Sequence, residues 1–245
     1  MTVPVLHVDA WLAVVNKPPG VMIHPSPFAG GEKDFLVDRL RAQFGRQVFV
    51  AHRLDRATSG CLLLAFDHDT ASALGRQMMS REVRKEYLAV CRGWPEERFT
   101  VDHAIDGGPG KPRKKPAVTH FERLATVELD MPSARFPTSR YALLRAMPET
   151  GRFRQIRRHL RHASHPLVGD TSHGDSLHNR NFKSLGIHRM LLHAWRLGFT
   201  HPGTGERVTV EAPPDGEFMR AVALFPDAPD LAGTAPADMA ATASC

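Results

Sequence analysis

The stretch His52-Arg53-Leu54-Asp55-Arg56-Ala57-Thr58-Ser59-Gly60 sets one carboxylate between two arginines, directly ahead of an unbroken apolar run from Cys61 to Phe66. An apolar run of that length reads as a buried strand, so Asp55 is expected at the lip of a rigid sheet. A cationic neighbour favours the charged carboxylate, and a carboxylate kept charged in a dry site serves as a nucleophile or a base. In an extended segment Arg53 and Asp55 project to one side and Arg56 to the other, which makes Arg53 the expected companion of the acid. Taken alone, an acid between arginines is more simply a structural salt bridge ahead of a core strand.

The bulk of the chain bounds the partners. With 245 residues and 42% hydrophobic content it can bury a sizeable core in one large domain or two small ones, and disorder of the whole is excluded. The 32 Lys and Arg against 26 Asp and Glu leave a net charge of +6, which suits a polyanionic partner without requiring one. Cys61, Cys91 and Cys245 lie far apart, so neither a disulfide framework nor a cysteine metal site is indicated, and a reducing cytoplasm fits. The segment from Met1 to Asp9 has no signal-peptide pattern, and no apolar run approaches the roughly 20 residues that span a bilayer. The expectation is a soluble, unprocessed, cytoplasmic protein, acting as a monomer and away from membranes.

Strands are expected at Val5 to Val8, Trp11 to Val15, Cys61 to Phe66, Val83 to Arg92, Val118 to Val127 and Arg140 to Ala146. A closing hairpin from Leu197 to Val210 turns at His201-Pro202-Gly203-Thr204-Gly205. Asn16-Lys17-Pro18-Pro19-Gly20 forces a turn, and His24-Pro25-Ser26-Pro27 breaks the chain again. Leu36, Leu40 and Phe44 recur at helical spacing. Asp69 or Thr70 can cap a helix to about Met79, and further helices are expected at Gln155 to His162 and near Glu217 to Leu224. The reading is one α+β domain over residues 1–225, a mostly antiparallel mixed sheet flanked by helices and loops, with a disordered tail at 226–245.

Several segments besides the nonapeptide are able to carry chemistry. Tyr87 is one of two tyrosines, and its ring either stacks on a base or fills the core. In the Gln155-Ile156-Arg157-Arg158-His159 helix, Arg157 is placed to enter a pocket while Arg152, Arg154, Arg158 and Arg161 are free to meet phosphates; a basic helix is also commonly a solvated face. Arg189-Met190-Leu191-Leu192-His193-Ala194 reads as an apolar floor for a base or as plain core strand. Lys111, Arg113, Lys114 and Lys115 form a cationic loop that lacks the order of a phosphate-cradling P-loop. His159, His162 and His165 have spacings that suit zinc, but Pro166 should end the helix before a third ligand joins the same face, so no metal is expected.

In this order the segments resemble the pseudouridine synthases of the RluA type over about residues 1–225. The resemblance rests on Asn16-Lys17-Pro18-Pro19-Gly20, the nonapeptide, Lys85-Glu86-Tyr87, Thr150-Gly151-Arg152 with Gln155-Ile156-Arg157, His165-Pro166 with Gly169-Asp170, and Leu192-His193-Ala194. The nonapeptide is highly specific and each of the others is weak alone. The resemblance implies a catalytic cleft across the sheet, isomerisation of uridine in RNA, and no cofactor, metal or bound nucleotide. It also implies Asp55 as catalytic nucleophile, Arg157 paired with it, Tyr87 stacked on the target uracil, Arg53 active in flipping the nucleotide, and Leu192 packed near the base. Arg56, Arg152, Arg154 and the loop cations Lys111, Arg113, Lys114 and Lys115 would meet the RNA. Within the family, Pro116-Ala117-Val118-Thr119-His120 and His173-Gly174-Asp175 with Asn179-Arg180 resemble members that modify uridine 65 of tRNA. Arg154 departs from the pattern, standing where relatives usually carry histidine. An rRNA-specific member, a noncatalytic RNA-binding protein on the same fold and a metal-dependent hydrolase are the competing readings.

Overall fold

The computed structural model describes residues 2–25, 31 and 34–231. Among the described residues the elements are β1 (Val5–Val8), β2 (Leu12–Lys17), α1 (Leu36–Phe44), β3 (Phe49–Val50), β4 (Ser59–Ala65), α2 (His68–Met79), β5 (Arg84–Arg92) and β6 (Arg98–Asp102). They continue with β7 (Val118–Leu129), β8 (Ser139–Pro148), α3 (Gln155–His162), α4 (Ser176–Ser184), β9 (Leu192–Thr200), β10 (Arg207–Glu211) and α5 (Gly216–Val222). The strands join one sheet in the order β1-β2-β4-β9-β5-β8-β7-β6, with β10 beside β9 and β3 beside β4. Every pairing is antiparallel except β4 with β9, where Ser59 faces His193 and Gly60 faces Ala194. Gly60 sits at φ +108, and a Cβ there would stand 2.1 Å from Ala194 O, so only glycine admits this close parallel crossing. The nonapeptide is thereby delivered to the middle of the sheet.

Period-two alternation distributes the core over both faces. On one face Leu62 and Leu64 pack against α1, while Ala89, Cys91, Ala142 and Leu144 pack against Ile156 and Leu160 of α3. On the other, Cys61 and Leu63 pack against Leu74 of α2, and Leu88, Val90, Tyr141 and Trp195 against Phe182 of α4 and Phe218 of α5. Covering on both sides explains why β4 is apolar at every position from Cys61 onward and wholly buried. No helix among the described residues is long and apolar enough to cross a membrane.

Three expectations change. The α2 cap is Asp67, whose carboxylate accepts from Thr70 N at 2.7 Å and from the Thr70 hydroxyl at 2.8 Å, so the helix begins earlier than Asp69 or Thr70 allowed. Strands β3 and β6 and helix α4 are additional. The segment expected to be disordered from 226 packs at its start, since Leu231 is buried with Phe225 in the α5 cluster. The remainder of that segment, 232–245, lies outside the described residues, as does part of the broken stretch at Ser26-Pro27.

Candidate active site

The chain enters β4 through a short turn at Arg56-Ala57, closed by Thr58 N donating to Asp55 O at 3.1 Å. Asp55 stands just before it, with its side chain 26% exposed. Its partner is Arg157 of α3, 102 residues further on, whose Nη1 donates to Asp55 Oδ2 at 2.7 Å. Among the described residues no donor reaches Asp55 Oδ1. One oxygen is held and the other is left without a hydrogen-bond donor. The companion expected from local geometry was Arg53; that residue is exposed, and Arg56 donates its Nε to Gly20 O at 2.8 Å.

Arg157 is shared with a second acid. Its Nε and Nη2 clasp Asp170 at 2.6 and 2.7 Å, and the Asp170 side chain is wholly buried. Burial alone would raise Asp170, but the guanidinium and the N–H groups of His173 and Ser172 outweigh it and hold the carboxyl below its ordinary range. The set carries two negative charges and one positive. One guanidinium thus serves both carboxylates.

A second clamp holds the backbone of the nonapeptide. Lys17 ends β2 with no exposed surface, and its ammonium donates to Pro18 O at 2.9 Å, Arg56 O at 3.1 Å and Thr58 O at 2.9 Å. This ties the Pro-Pro-Gly turn to the turn after Asp55. Burial, then the Arg189 charge, push Lys17 down to about 7, with Asp55 pulling the other way. Since the folded value lies below the ordinary 10.5, the unfolded chain binds more protons between the two, and this residue's contribution to stability grows with pH across that window. The unfolding free energy of the native protein, measured against Lys17→Met by urea denaturation, should therefore climb from about pH 7 towards pH 10.5. Parallel curves for the two proteins would exclude it.

Beneath the turn, Arg189 Nη2 donates to Ser59 Oγ at 2.8 Å and to Leu192 O at 3.0 Å. His193 Nε2 donates to Ala212 O at 2.8 Å, so its Nδ1 accepts from Ser59 Oγ at 2.7 Å. Burial lowers His193 to about 4, which keeps the ring neutral in that role. Tyr87 and Leu192 lie in one cluster with Ile156 and Leu160, on the face that carries α3. Burial raises the Tyr87 phenol and the nearby Asp55 charge adds to this, so the hydroxyl stays protonated beside the acid.

Helix α3 is fastened at its start by Gln155. Its Oε1 accepts from Thr150 Oγ1 and Arg152 N at 2.7 and 2.9 Å, and its Nε2 donates to Val118 O and Thr119 Oγ1 at 2.9 Å each. Arg154 takes the N-cap position in the left-handed region, φ +53, with its guanidinium 4.8 Å over the Phe153 ring. Arg152, Arg158 and Arg161, expected to be free for phosphates, have protein partners. Arg158 pairs with Asp106 at 2.7 Å, Arg152 Nε donates to Pro116 O at 3.0 Å, and Arg161 reaches Ser172 O at 3.5 Å. The first two latch the cationic loop onto the helix that bears Arg157. Lys111, Arg113, Lys114 and Lys115 are all exposed on that loop. The helix histidines serve the fold: His159 bonds Thr119 Oγ1 and His103 O, His162 stacks on His103 at 3.9 Å, and His165 bonds Arg92 O at 2.9 Å.

A cavity of about 590 Å³ between Arg92, Phe136, Arg140 and His178 contains none of the groups around Asp55. Lys17 and Asp170 lie in segments that carried the resemblance, but the sequence reading gave neither a role at the site. The signals were a lysine closing an apolar run and an aspartate behind Leu167-Val168-Gly169.

Residues 11–162, which hold Lys17, Asp55, Tyr87 and Arg157, match the family model described as RNA pseudouridylate synthase. The chain belongs to that family. It is a pseudouridine synthase, similar over most of its length to curated relatives. Identity is 40% over 231 residues with tRNA pseudouridine synthase C of Salmonella typhimurium, covering 90% of this chain and 89% of the relative. It is 38% over 235 residues with the protein of that name from Pasteurella multocida, covering 92% and 97%. Among solved structures, human RNA pseudouridylate synthase domain containing 1 superposes with TM-score 0.68 at 28% identity, covering 87% of this synthase and 84% of that chain. Human RNA pseudouridylate synthase domain containing 4, at TM-score 0.70 and 24% identity over 90% and 92%, shares the fold.

Proposed function

We propose that this synthase converts uridine 65 of tRNA to pseudouridine, with Asp55 as its nucleophile. The observation that carries the chemistry is the asymmetric holding of Asp55, one oxygen bonded to Arg157 Nη1 and the other free. The substrate reading is supported by relatives named tRNA pseudouridine synthase C that align over nearly their whole length.

A stacked uridine must first leave the helix, at a cost of a few kcal/mol that side-chain contacts offset. Arg53, exposed two residues before Asp55, is the group for that step, and the Tyr87 ring receives the uracil. The free oxygen of Asp55 then either bonds C1′ as uracil N1 departs or takes the C2′ proton to leave a glycal. The uracil turns while bound, C5 joins C1′, the C5 hydrogen leaves to water, N1 takes a proton from water, and Asp55 is released, having returned the C2′ proton if the glycal route is followed. Atoms balance without an oxidant or reductant. Leu192, 4% exposed beside Tyr87, supplies an apolar wall.

The test uses tRNA tritiated at uridine C5, incubated with the protein in EDTA. Tritium should reach water in step with pseudouridine at position 65. No release overturns the isomerase assignment for tRNA, modification elsewhere overturns the position, and dependence on added metal would favour a hydrolase.

The cationic loop should hold the RNA backbone. Neutralising phosphates releases counterions at about 0.7 to 0.9 in log slope per contact, so replacing Lys111, Arg113, Lys114 and Lys115 by Ala should flatten the salt dependence of binding by roughly 3. Filter binding across a salt series reads this directly, and an unchanged slope removes the loop from the interface.

A further inference from the structure

Asp170, which holds Arg157 in place, stands in the turn of residues 167–175 between α3 and α4. Its Oδ1 accepts from Ser172 N and His173 N at 2.8 and 3.0 Å as well as from Arg157. One arm of the turn is tied to the sheet, Val168 N donating to Val90 O at 2.9 Å. Gly169, φ +78, passes so close to the next segment that a Cβ would lie 2.1 Å from Arg189 O. The other arm is closed by Gly174 N, which donates to Asp170 O at 3.0 Å, and by one side chain. Asn179 Oδ1 accepts from Gly169 N at 2.7 Å and its Nδ2 donates to Asp170 O at 3.0 Å, bracketing the two residues with one amide.

Asn179 is itself held from the opposite face of the sheet. Asp175 caps α4 and pairs with Arg92 at 3.0 Å, His178 bonds the Tyr141 hydroxyl at 2.8 Å, and Phe182 packs edge-on against Tyr141 at 4.8 Å. We propose that Asn179 is a positioning residue for pseudouridine formation, fixing Asp170 and, through Arg157, the carboxylate of Asp55. The proposal rests on the reading of Asp55 given above. Arg157 spends two of its donors on Asp170, so any shift of the 167–175 turn moves the third away from Asp55.

Single-turnover tritium release from the same C5-labelled tRNA, filter binding and thermal unfolding test this on Asn179→Ala and Asn179→Asp. Misplacing a reacting group by about an ångström costs up to roughly a hundredfold, and Asn179→Ala is expected to lose about tenfold to a hundredfold in rate while tRNA affinity stays within about twofold. At saturating enzyme and corrected for the folded fraction, the rate should still be low, which a merely structural defect would not leave. Asn179→Asp keeps the acceptor for Gly169 N but replaces the donor to Asp170 O with a carboxylate oxygen that repels it. It should lose rate in the same direction, and it decides the matter if the alanine variant fails to fold. Native rates in both variants overturn the proposal. So does a rate that falls only with the folded fraction. Asp55→Asn is run alongside: turnover by it sinks the reading of Asp55, whereas an inert Asp55→Asn with unaffected Asn179 variants sinks only the role of Asn179.

Discussion

Asp55→Asn should yield a folded protein that binds tRNA with native affinity and releases no tritium from uridine C5. Asparagine has nearly the same shape, and its carbonyl oxygen can still accept from Arg157 Nη1, the one donor that reaches the Asp55 side chain among the described residues. Arg157 also keeps both bonds to Asp170, so no buried charge is stranded and the stability cost is about 1–2 kcal/mol. An amide neither attacks C1′ nor takes a proton from C2′. Loss of a covalent catalyst costs at least roughly four orders of magnitude in rate. Single-turnover assays with circular dichroism melts and filter binding check the three parts together. Turnover within about tenfold of native by a folded variant, its amide verified intact by mass spectrometry, would end the nucleophile reading.

Arg157→Leu should do the opposite and damage the fold as well as the chemistry. Removing the guanidinium leaves Asp170, wholly buried, with no cation, and stranding one partner of a buried ion pair costs about 3–5 kcal/mol. At about 2–4 °C per kcal/mol for a chain of this size, Tm should fall by roughly 6–20 °C. Adding Asp170→Asn should restore much of the loss, because the damage lies in the stranded charge and the two changes are strongly coupled. The pH dependence has a definite sign. Asp170 is held low in the native fold and is pushed up by burial once Arg157 is gone, so the stability deficit is largest at neutral pH and shrinks as acid protonates Asp170. Urea denaturation of the single and double variants at several pH values measures this. A Tm unchanged by Arg157→Leu would mean that Asp170 finds another partner and that Arg157 does not organise the site.

Local pattern reached far into the fold. Strand β4, the hairpin of β9 and β10, and α3 with both its ends follow from apolar runs, turn residues and Pro166, because those signals act within a few residues of where they are read. Other elements escaped it. Helix α4, Ser-Leu-His-Asn-Arg-Asn-Phe-Lys-Ser, is poor in strong helix formers and stands because Asp175 caps it and Phe182 and His178 are buried. Strand β6 holds five residues, fully buried only at Val101, too short for alternation to declare it before β7 is beside it. Arginines at 152 and 158 look identical to solvated ones until Pro116 and Asp106 come to lie opposite them.

From the amino-acid order alone came the carboxylate at the mouth of a buried strand, the company of segments that mark the family, and a mainly antiparallel α+β architecture. These are properties of neighbours in the chain, where periodicity and turn chemistry operate. The resemblance already named Arg157 as the partner of Asp55; only the tertiary structure decided that this guanidinium is shared with Asp170, that Lys17 is buried as a clamp on three carbonyls, and that Asn179 stands behind the pair. Those contacts join residues up to 102 positions apart, and burial and the choice of ion-pair partner depend on what packs around a group.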